Sequence, residues 1–280
     1  MTPRAARLTR RAGLNAVGVL VALLALFPVY WMVLTAFRPG GEIRSPTPSL
    51  LPTNVTLDNF RRVFEREYFW TSMRNSAMVT GIVVVLALVV AFLAAVALSR
   101  FRFRGRRAFL VLVLVVQMIP AEALIISLFR ILDGRQLTNT VIGLALTYLV
   151  FVLPFTIWTL RGFVAGVPFE LEEAAMVDGA SRMGAFVRIT LPLVAPGLVA
   201  TGIFAFIQAW NEFIFALVIM NQPGKQTLPV WLQAFNEGTR GTDWGGVMAG
   251  STLLALPVII FFLLVQRKVT AGLTAGAVKG

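Results

Sequence analysis

Residues 167–193 have the sequence VPFELEEAAMVDGASRMGAFVRITLPL, and this stretch constrains the fold more than any other part of the chain. It is amphipathic, so it cannot simply cross a membrane, although strongly apolar segments lie on both sides of it. Pro168 suits a first helical turn, and the acidic residues after it match the positive end of a helix dipole. We predict a short helix over about 169–177, a sharp turn at Gly179 and a second short helix, after which Pro192 opens the next apolar segment.

The rest of the chain is unusually apolar. Hydrophobic residues make up 58% of its 280 residues, the mean hydropathy is +0.81 and only 14% of residues are charged. Soluble domains have a different balance, so lipid is the expected solvent. The sequence contains no cysteine and no histidine, which excludes disulfides, Ser-His or Cys-His nucleophile pairs and the commonest ligands of transition metals. We predict no catalytic residues, no cofactor and no metal site on this chain.

Six segments are long and apolar enough to cross a membrane as helices. A spanning helix needs about 20 residues, whereas barrel strands alternate over about 10. We therefore predict an all-α integral membrane protein with spans at about 14–36, 76–98, 108–129, 139–160, 193–220 and 246–265. Pro120 should kink the third span. The first span follows a basic segment at 1–13 and lacks a small-residue cleavage site, so we expect it to be retained.

The positions of Arg and Lys predict which loops face the cytoplasm. With a cytoplasmic N-terminus, 15 of the 25 basic residues lie on that side, including a dense run at 100–107. The remaining ten are spread more thinly. We predict that both termini are cytoplasmic, with the 167–192 loop and a tail at 266–280 on the same side. The same distribution favours topogenic arginines over a nucleic-acid-binding face.

Two of the outer loops carry aromatic residues. The first has apolar residues at helical spacing: Leu57, Phe60, Phe64 and Tyr68. This spacing predicts either a helix on the outer membrane surface or a solvated loop. The last outer loop, at 221–245, mixes turn residues with three aromatic residues: Trp231, Phe235 and Trp244. That mixture suits contact with a protein or a sugar, or simple interfacial anchoring.

The 167–193 stretch resembles the EAA loop of binding-protein-dependent ABC permeases. That pattern is EAA, three residues, Gly, nine residues and then I-x-L-P, and the matching residues are Glu173, Ala174, Ala175, Gly179, Ile189, Leu191 and Pro192. Asp178, beside the glycine, belongs to the same predicted surface. The resemblance implies that residues 14–280 form a permease domain, that this loop docks onto an ATPase subunit dimer, and that the dimer binds ATP and Mg²⁺. The small alanines suit close seating in a groove, and Glu173 offers an anchor.

Weaker matches narrow the resemblance to the MalG-like class of sugar importers. They are Asn75 and Ser76 at the start of the second span, WNEF at 210–213 and GLTAGAVKG at 272–280. This class implies a multi-pass protein of the bacterial cytoplasmic (inner) membrane that works with an extracytoplasmic sugar-binding protein. It also implies a second homologous permease subunit, although homodimers occur among such importers, and a C-terminal tail that reaches the ATPase pair.

Polar residues within spans are candidates for the translocation pathway, because such groups tend to face an interior or a water-filled cavity. We predict Gln117, Glu122, Gln208, Trp210, Asn211 and Glu212. The Trp210 ring is suited to stacking on a sugar. Helix–helix hydrogen bonding, interfacial anchoring and core packing are the alternative roles for these side chains.

ATP hydrolysis should lie on another chain. No G-x-x-x-x-G-K-[ST] sequence occurs, and the Gly224-Lys225 pair is followed by Gln226. An ABC importer of another solute class is the main alternative, since the EAA loop indicates docking to an ATPase but does not indicate which solute is transported. An ion-coupled secondary transporter would use carboxylates such as Glu122 or Glu212 at mid-membrane, and a membrane enzyme would need carboxylates converging in one cavity. Neither explains the 167–193 stretch.

Overall fold

The computed structural model describes the backbone of residues 3–47, 49–51, 54–236 and 241–277, and the side chains of 11, 13–47, 49–51, 54–236 and 241–266. The protein is mostly helical, at 78%. Among the described residues, strand-like pairing occurs as an isolated bridge between Asn236 and Thr242. The predicted all-α class is confirmed.

The helices vary from one turn to more than nine turns in length. In chain order they are α1 (Pro3–Ala36), α2 (Gly40–Ile43), α3 (Asp58–Glu65), α4 (Phe69–Arg100), α5 (Arg106–Gln117), a 3₁₀ turn (Ala121–Leu124), α6 (Ile125–Asp133), α7 (Val141–Ala165), α8 (Glu170–Val177), α9 (Arg182–Ala185), a π turn (Phe186–Thr190), α10 (Leu191–Asn211), α11 (Ile214–Ile219), α12 (Leu228–Trp231), a second 3₁₀ turn (Leu232–Phe235) and α13 (Trp244–Ala277).

Five of the described helices are long and apolar enough to cross a membrane, or six if the bent pair formed by 106–117 and 121–133 is one span. The predicted first, second, fourth and sixth spans fall on α1, α4, α7 and α13, with different ends. α13 continues beyond 265, so the predicted tail at 266–280 begins inside a helix. Residues 278–280 of that tail, like Met1 and Thr2 of the basic N-terminus, lie outside the described residues.

The predicted third span is not one continuous helix. The two halves of the bent pair make an angle of 94°. Between them, Pro120 has an extended backbone with φ −56° and ψ 123°. Proline lacks an N–H donor and disfavours a helical backbone at the residue before it, so the expected kink becomes a full break.

The predicted fifth span over 193–220 is not one continuous helix either. α10 ends at Asn211, and Glu212 is extended, with φ −67° and ψ 131°. α11 then starts a new helix at Ile214. This break contains neither proline nor glycine, and its cause is the side chain of Glu212, as described below.

The chain divides into two compact units, residues 1–67 with 232–255 and residues 68–231 with 256–280. In the second unit, α4, α7 and α10 pack against one another. α4 contributes a buried stripe of small residues at four-residue spacing: Val79, Val83, Ala87, Ala91 and Ala95. Residues four apart share one face of a helix, and small side chains let neighbouring membrane helices approach closely.

In the first unit, α3 packs through a face that the sequence did not predict. Its buried residues are Asn59 and Val63, whereas Leu57 and Phe64 are 65% and 40% exposed. The Asn59 Nδ2 donates to the carbonyl oxygens of Ala36 and Arg38, at 2.8 and 2.7 Å. Hydrogen bonds to carbonyl groups at the end of α1 therefore position the helix and leave the apolar side chains of Leu57 and Phe64 exposed.

Candidate functional site

The 167–193 loop forms two short helices, α8 and α9, joined by a tight turn. Gly179 has the left-handed backbone that the sequence predicts, with φ +92°. Its N–H bonds to Met176 O at 3.1 Å, and the N–H of Ala180 bonds to Ala175 O at 2.9 Å. These two bonds form a Schellman motif, which closes the carbonyl end of α8 and sets the direction of the chain beyond it.

The second short helix continues into the fifth span without an intervening loop. Ser181 caps α9 by accepting the Gly184 N–H at 3.1 Å. A π turn over Phe186–Thr190 then connects α9 to α10. Pro192 lies within the first two positions of α10. A displacement of the loop would therefore be transmitted directly to the start of a long helix.

The EAA residues form one surface of this loop. Glu173, Ala174, Asp178, Gly179 and Pro192 are exposed, and Ala175, Ile189 and Leu191 are half-buried. A shallow cavity of about 250 Å³ is lined by residues from both short helices and the turn, among them Ala175, Asp178, Gly179 and Ile189. Residues that are 14 positions apart in the sequence thus meet around one depression.

Large apolar side chains flank this depression. Val177 is 86% exposed and Met183 is 70% exposed. Val177 lies before the Gly179 turn and Met183 lies after it. The tip of the loop is therefore apolar at its edge and acidic at Glu173. An apolar patch rimmed by polar groups is typical of a protein-binding surface.

A buried polar cluster lies behind this surface and was not predicted from the sequence. The Arg100 Nη2 is 3.0 Å from the Glu172 Oε1. Thr190 donates its hydroxyl to the same Oε1 at 2.5 Å, and the Arg100 Nη1 donates to Val167 O at 3.1 Å. This Arg100–Glu172–Thr190 cluster joins the end of α4, the first turn of α8 and the π turn before α10.

Helical spacing carried a signal for this cluster. Phe169, Glu172 and Met176 are three and four residues apart, so they share one face of α8. A glutamate flanked on its own face by apolar residues is expected to turn toward the protein. The adjacent Glu173 lies about 100° around the helix and points outward, which separates the roles of these two carboxylates.

A separate cavity in the second unit collects three of the six predicted pathway residues. Glu122, Gln208 and Glu212 line a space of about 180 Å³, with Tyr148 and Phe151 of α7. Tyr148 was missed, although a tyrosine within an otherwise apolar span was its sequence signal. The cavity contains carboxylate, amide and hydroxyl groups beside aromatic rings, which can hydrogen-bond to and stack on a polar ring-shaped solute.

Glu212 also holds the break between α10 and α11 in place. Its two carboxylate oxygens accept the backbone N–H groups of Phe215 and Ala216, at 2.8 and 3.0 Å. These N–H groups belong to the first turn of α11, where no helical acceptor exists. The carboxylate thus caps a new helix start, which explains why the fifth span is interrupted.

The other three predicted pathway residues do not line this cavity. Gln117 is the last residue of α5 and is exposed. Trp210 is buried and stacks on Phe206, with ring centroids 5.7 Å apart. Asn211 donates to Ile207 O of its own helix at 2.9 Å. For Trp210 and Asn211, these contacts match the alternative roles of core packing and helix hydrogen bonding.

The aromatic residues of the last outer loop are mostly internal. Within the second unit, Trp231 is 2% exposed and contacts Phe69, with centroids 5.2 Å apart. Within the first unit, Phe235 is 1% exposed while Trp244 is 51% exposed. The expectation of an aromatic surface therefore holds for Trp244 and is wrong for the other two.

Asn75 and Ser76 hold the start of that loop. The Asn75 Nδ2 donates to the carbonyl oxygens of Lys225 and Gln226, at 2.9 and 3.1 Å. Ser76 Oγ accepts the Leu228 N–H at 2.8 Å. These bonds give the Asn-Ser pair a structural role at the beginning of α4.

A protein-family model matches most of the chain. Residues 84–274 match the model described as binding-protein-dependent transport system inner membrane component. The chain is similar to the diacetylchitobiose uptake system permease protein DasC of Streptomyces coelicolor, with 48% identity over 95% of this chain and 96% of that protein. It is 37% identical to the trehalose transport system permease protein SugB of Mycobacterium tuberculosis, over 93% and 95% of the two chains.

Two solved structures have the same fold. A chain from a bacterial ABC transporter involved in the import of the acidic polysaccharide alginate has a TM-score of 0.79 at 25% identity, over 95% of this chain and 98% of that chain. A chain from a bacterial alginate ABC transporter in complex with alginate pentasaccharide-bound periplasmic protein has a TM-score of 0.67 at 15% identity, over 92% and 94%. The predicted fold class is confirmed.

Proposed function

This chain belongs to the family of binding-protein-dependent transport system inner membrane components, and from that premise we propose that it carries an oligosaccharide across the cytoplasmic membrane. It is a transport subunit and not an enzyme. The observation that carries the proposed cargo is the 48% identity, over nearly the whole chain, to a diacetylchitobiose uptake permease. Diacetylchitobiose is therefore the first solute to test.

In this proposal, a separate ATPase dimer supplies the energy for transport. The dimer binds ATP and Mg²⁺ and docks on the α8–α9 loop. Exposed Glu173 supplies a charged contact, and Val177 and Met183 supply apolar contact area at the tip. The buried pair of Glu172 and Arg100 supports the loop from behind. A docked surface that is braced in this way can transmit force without unfolding.

The remaining partners follow from the same proposal. We place both termini and the α8–α9 loop on the cytoplasmic side, because the arginine-rich stretch at 100–107 is the densest run of positive charge. A second homologous permease and membrane lipid cover the apolar helices, since the most apolar window of α1 is only 6% buried within this chain. An extracytoplasmic binding protein delivers the sugar to the outer loops.

Transport would follow alternating access. ATP closes the ATPase dimer, the α8–α9 loop moves with it, and the start of α10 is displaced because the loop continues into it. The cavity lined by Glu122, Gln208 and Glu212 lies at the other end of α10 and at the break in the third span. A rigid displacement of α10 would therefore change the shape of this cavity.

The test is purification of the tagged chain from its native host in mild detergent, with mass spectrometry of the accompanying proteins. The same preparation is made with Glu173→Lys, which reverses the charge of the proposed docking contact. Glu173→Gln is the matched control, because it keeps the side-chain shape and does not introduce a repulsive charge. ATPase activity is measured with the sugar-loaded binding protein encoded nearest to the transporter.

We expect an ATPase and a second permease to accompany the wild-type chain and Glu173→Gln, and the ATPase to be lost with Glu173→Lys. Stimulation by diacetylchitobiose-loaded binding protein supports the cargo, and stimulation only by a non-carbohydrate solute contradicts it. Normal uptake with Glu173→Lys contradicts the docking role. Repeated recovery of the chain alone, under conditions that preserve known complexes, contradicts the importer and favours an ion-coupled transporter.

A further inference from the structure

A further polar cavity lies in the first unit. It has a volume of about 590 Å³ and is lined by residues within 40–44, 62–66 and 241–245, together with Phe235. Its side chains with distinctive chemistry are Arg44, Arg62, Arg66, Phe235, Asp243 and Trp244. We call it the arginine cavity.

Two of the three guanidinium groups are fixed in position. The Arg62 Nη2 donates to Asn59 Oδ1 at 2.6 Å and lies 3.4 Å from Asp243 Oδ1. Arg66 lies over the ring of Phe235 at 4.5 Å and donates to the carbonyl oxygen of Ala234. The ring and the carbonyl hold the Arg66 guanidinium in a fixed orientation, so this part of the wall is preorganised.

The third guanidinium, on Arg44, forms no hydrogen bond or ion pair with any described residue and is exposed. Asp243 is the cavity's only acidic lining residue among those described. Its Oδ1 also accepts the Gly246 N–H at 3.1 Å, at the start of the 34-residue α13. Among the described lining residues, Arg44 is therefore the cation without a partner, and the carboxylate of Asp243 already has two.

Such a lining selects an oxyanion. Guanidinium groups bind carboxylates through paired, charge-assisted hydrogen bonds. Trp244 is 51% exposed and lines the same cavity. Tryptophan and arginine are among the residue types that most often dominate the binding energy of protein interfaces. Both features suit a protein partner that inserts an acidic side chain.

We propose that the arginine cavity receives an Asp or Glu side chain of the extracytoplasmic binding protein, with Arg44 as the group that pairs with it. This inference rests on the proposed function, which puts the loops at 40–67 and 232–245 on the side from which that protein delivers sugar. The contact is a docking contact with a protein and is distinct from sugar recognition in the cavity near Glu212.

The test uses the full transporter in nanodiscs of zwitterionic lipid, with ATPase activity titrated by sugar-loaded binding protein. The variants are Arg44→Glu and Arg44→Lys. The matched control is Arg61→Glu, which makes the same change in net charge at an exposed residue of α3 that pairs with Glu65 and is not among the described residues lining the cavity.

We expect the half-saturating concentration of binding protein to rise roughly tenfold to a hundredfold in Arg44→Glu, because like charges would face each other in the contact. Arg44→Lys keeps the positive charge but loses the paired hydrogen bonds, so its half-saturating concentration should lie between those of wild type and Arg44→Glu. Arg61→Glu should remain within about threefold of wild type, because exposed pairs contribute little. ATPase activity without binding protein should be unchanged in all three variants.

A carbodiimide cross-link identifies the partner group directly. In Arg44→Lys, the new amine should form an amide with an acidic residue of the binding protein, and mass spectrometry of the linked peptides reports which residue it is. The arginine-containing wild type should give no link at this position. Cross-links from the new amine that reach only this chain's own carboxylates would overturn the proposal.

The failures of this inference and of the proposed function are distinguishable. A wild-type transporter that no binding protein stimulates contradicts the proposed function. A stimulated wild type with an unchanged half-saturating concentration in Arg44→Glu overturns the inference alone. An Arg44→Glu defect that appears only when anionic lipid is added would assign the cavity to a lipid phosphate, and this also overturns the inference.

Discussion

Arg100 and Glu172 form a buried ion pair, with 3.0 Å between Nη2 and Oε1 and with side chains only 10% and 6% exposed. Arg100→Met would leave the Glu172 carboxylate buried with only the Thr190 hydroxyl on its Oε1. Removal of one partner from a buried pair costs roughly 3–5 kcal/mol. We predict a large fall in the thermal unfolding midpoint of the purified transporter, together with loss of ATPase coupling.

The double variant Arg100→Met with Glu172→Leu separates charge from packing. Replacement of both partners by apolar residues is often neutral, so it should recover much of the lost midpoint. Breaking the exposed Arg61–Glu65 pair by Arg61→Ala is the control and should cost about 1 kcal/mol or less. An Arg100→Met protein as stable as wild type would show that the cluster does not support the loop.

Gly179 is predicted to resist substitution for reasons of backbone conformation alone. Its φ is +92°, and a Cβ placed there would meet nothing within 4 Å. Gly179→Ala should therefore cost about 1–2 kcal/mol through left-handed strain, whereas Gly179→Asn should cost less, because asparagine tolerates this region. Uptake and the unfolding midpoint are the measurements.

Gly162→Ala is the matched control for Gly179. Gly162 lies inside α7, and a Cβ there also meets nothing within 4 Å. Alanine is the better helix former, so this change should be neutral or stabilising. Equal effects of alanine at the two positions would contradict the assignment of the Gly179 cost to its backbone.

The sequence predicted the α8–α9 loop well because its determinants are local. A proline, a run of acidic residues and a glycine each act within about one turn of helix, and the structure has the helix, the left-handed Gly179 and the second helix in that order. The six apolar segments were visible for a similar reason, since burial in lipid requires length and apolarity but no specific partner.

The features that were missed depend on residues far apart in the chain. Arg100 and Glu172 are 72 positions apart, and nothing near either of them identifies its partner. The break at Glu212 was missed because a carboxylate in an apolar segment suggests a pathway residue, whereas here it bonds to the backbone N–H groups of the next helix. The buried face of α3 was missed because Asn59 is satisfied by carbonyl groups at the end of α1.

Glu212 and Glu122 line the same cavity, but their substitutions should affect stability and uptake differently. Glu212→Ala leaves the N–H groups of Phe215 and Ala216 without their acceptor, so we predict a loss of about 1–3 kcal/mol in stability. Glu122 is exposed, so Glu122→Gln should leave stability unchanged and alter the rate or affinity of uptake. Unfolding midpoints and uptake kinetics separate these effects.

Asn211→Ala is the control for Glu212, because it removes a polar side chain whose hydrogen bond among the described residues lies within its own helix, to Ile207 O. It should change neither stability nor uptake appreciably. If Glu212→Ala preserved the midpoint and changed only uptake, the capping role would be contradicted and a pathway role favoured.

Gly197 of α10 lies directly against Phe163 of α7. A Cβ at this position would lie 2.4 Å from Phe163 Cγ and 2.9 Å from Phe163 Cβ. The phenylalanine cannot relieve this overlap by moving only the far end of its ring, because its inner atoms are involved. Gly197→Ala should therefore destabilise the purified protein by roughly 1–3 kcal/mol.

The second substitution Phe163→Ala removes the obstructing atoms, so the double variant should be more stable than Gly197→Ala alone. Gly81→Ala in α4 is the control, since a Cβ there meets nothing within 4 Å and the residue lies inside a helix. It should leave the unfolding midpoint unchanged or raise it. Additive effects of Gly197→Ala and Phe163→Ala would mean that these residues do not contact each other, and the packing of α7 on α10 at this point would have to be rejected.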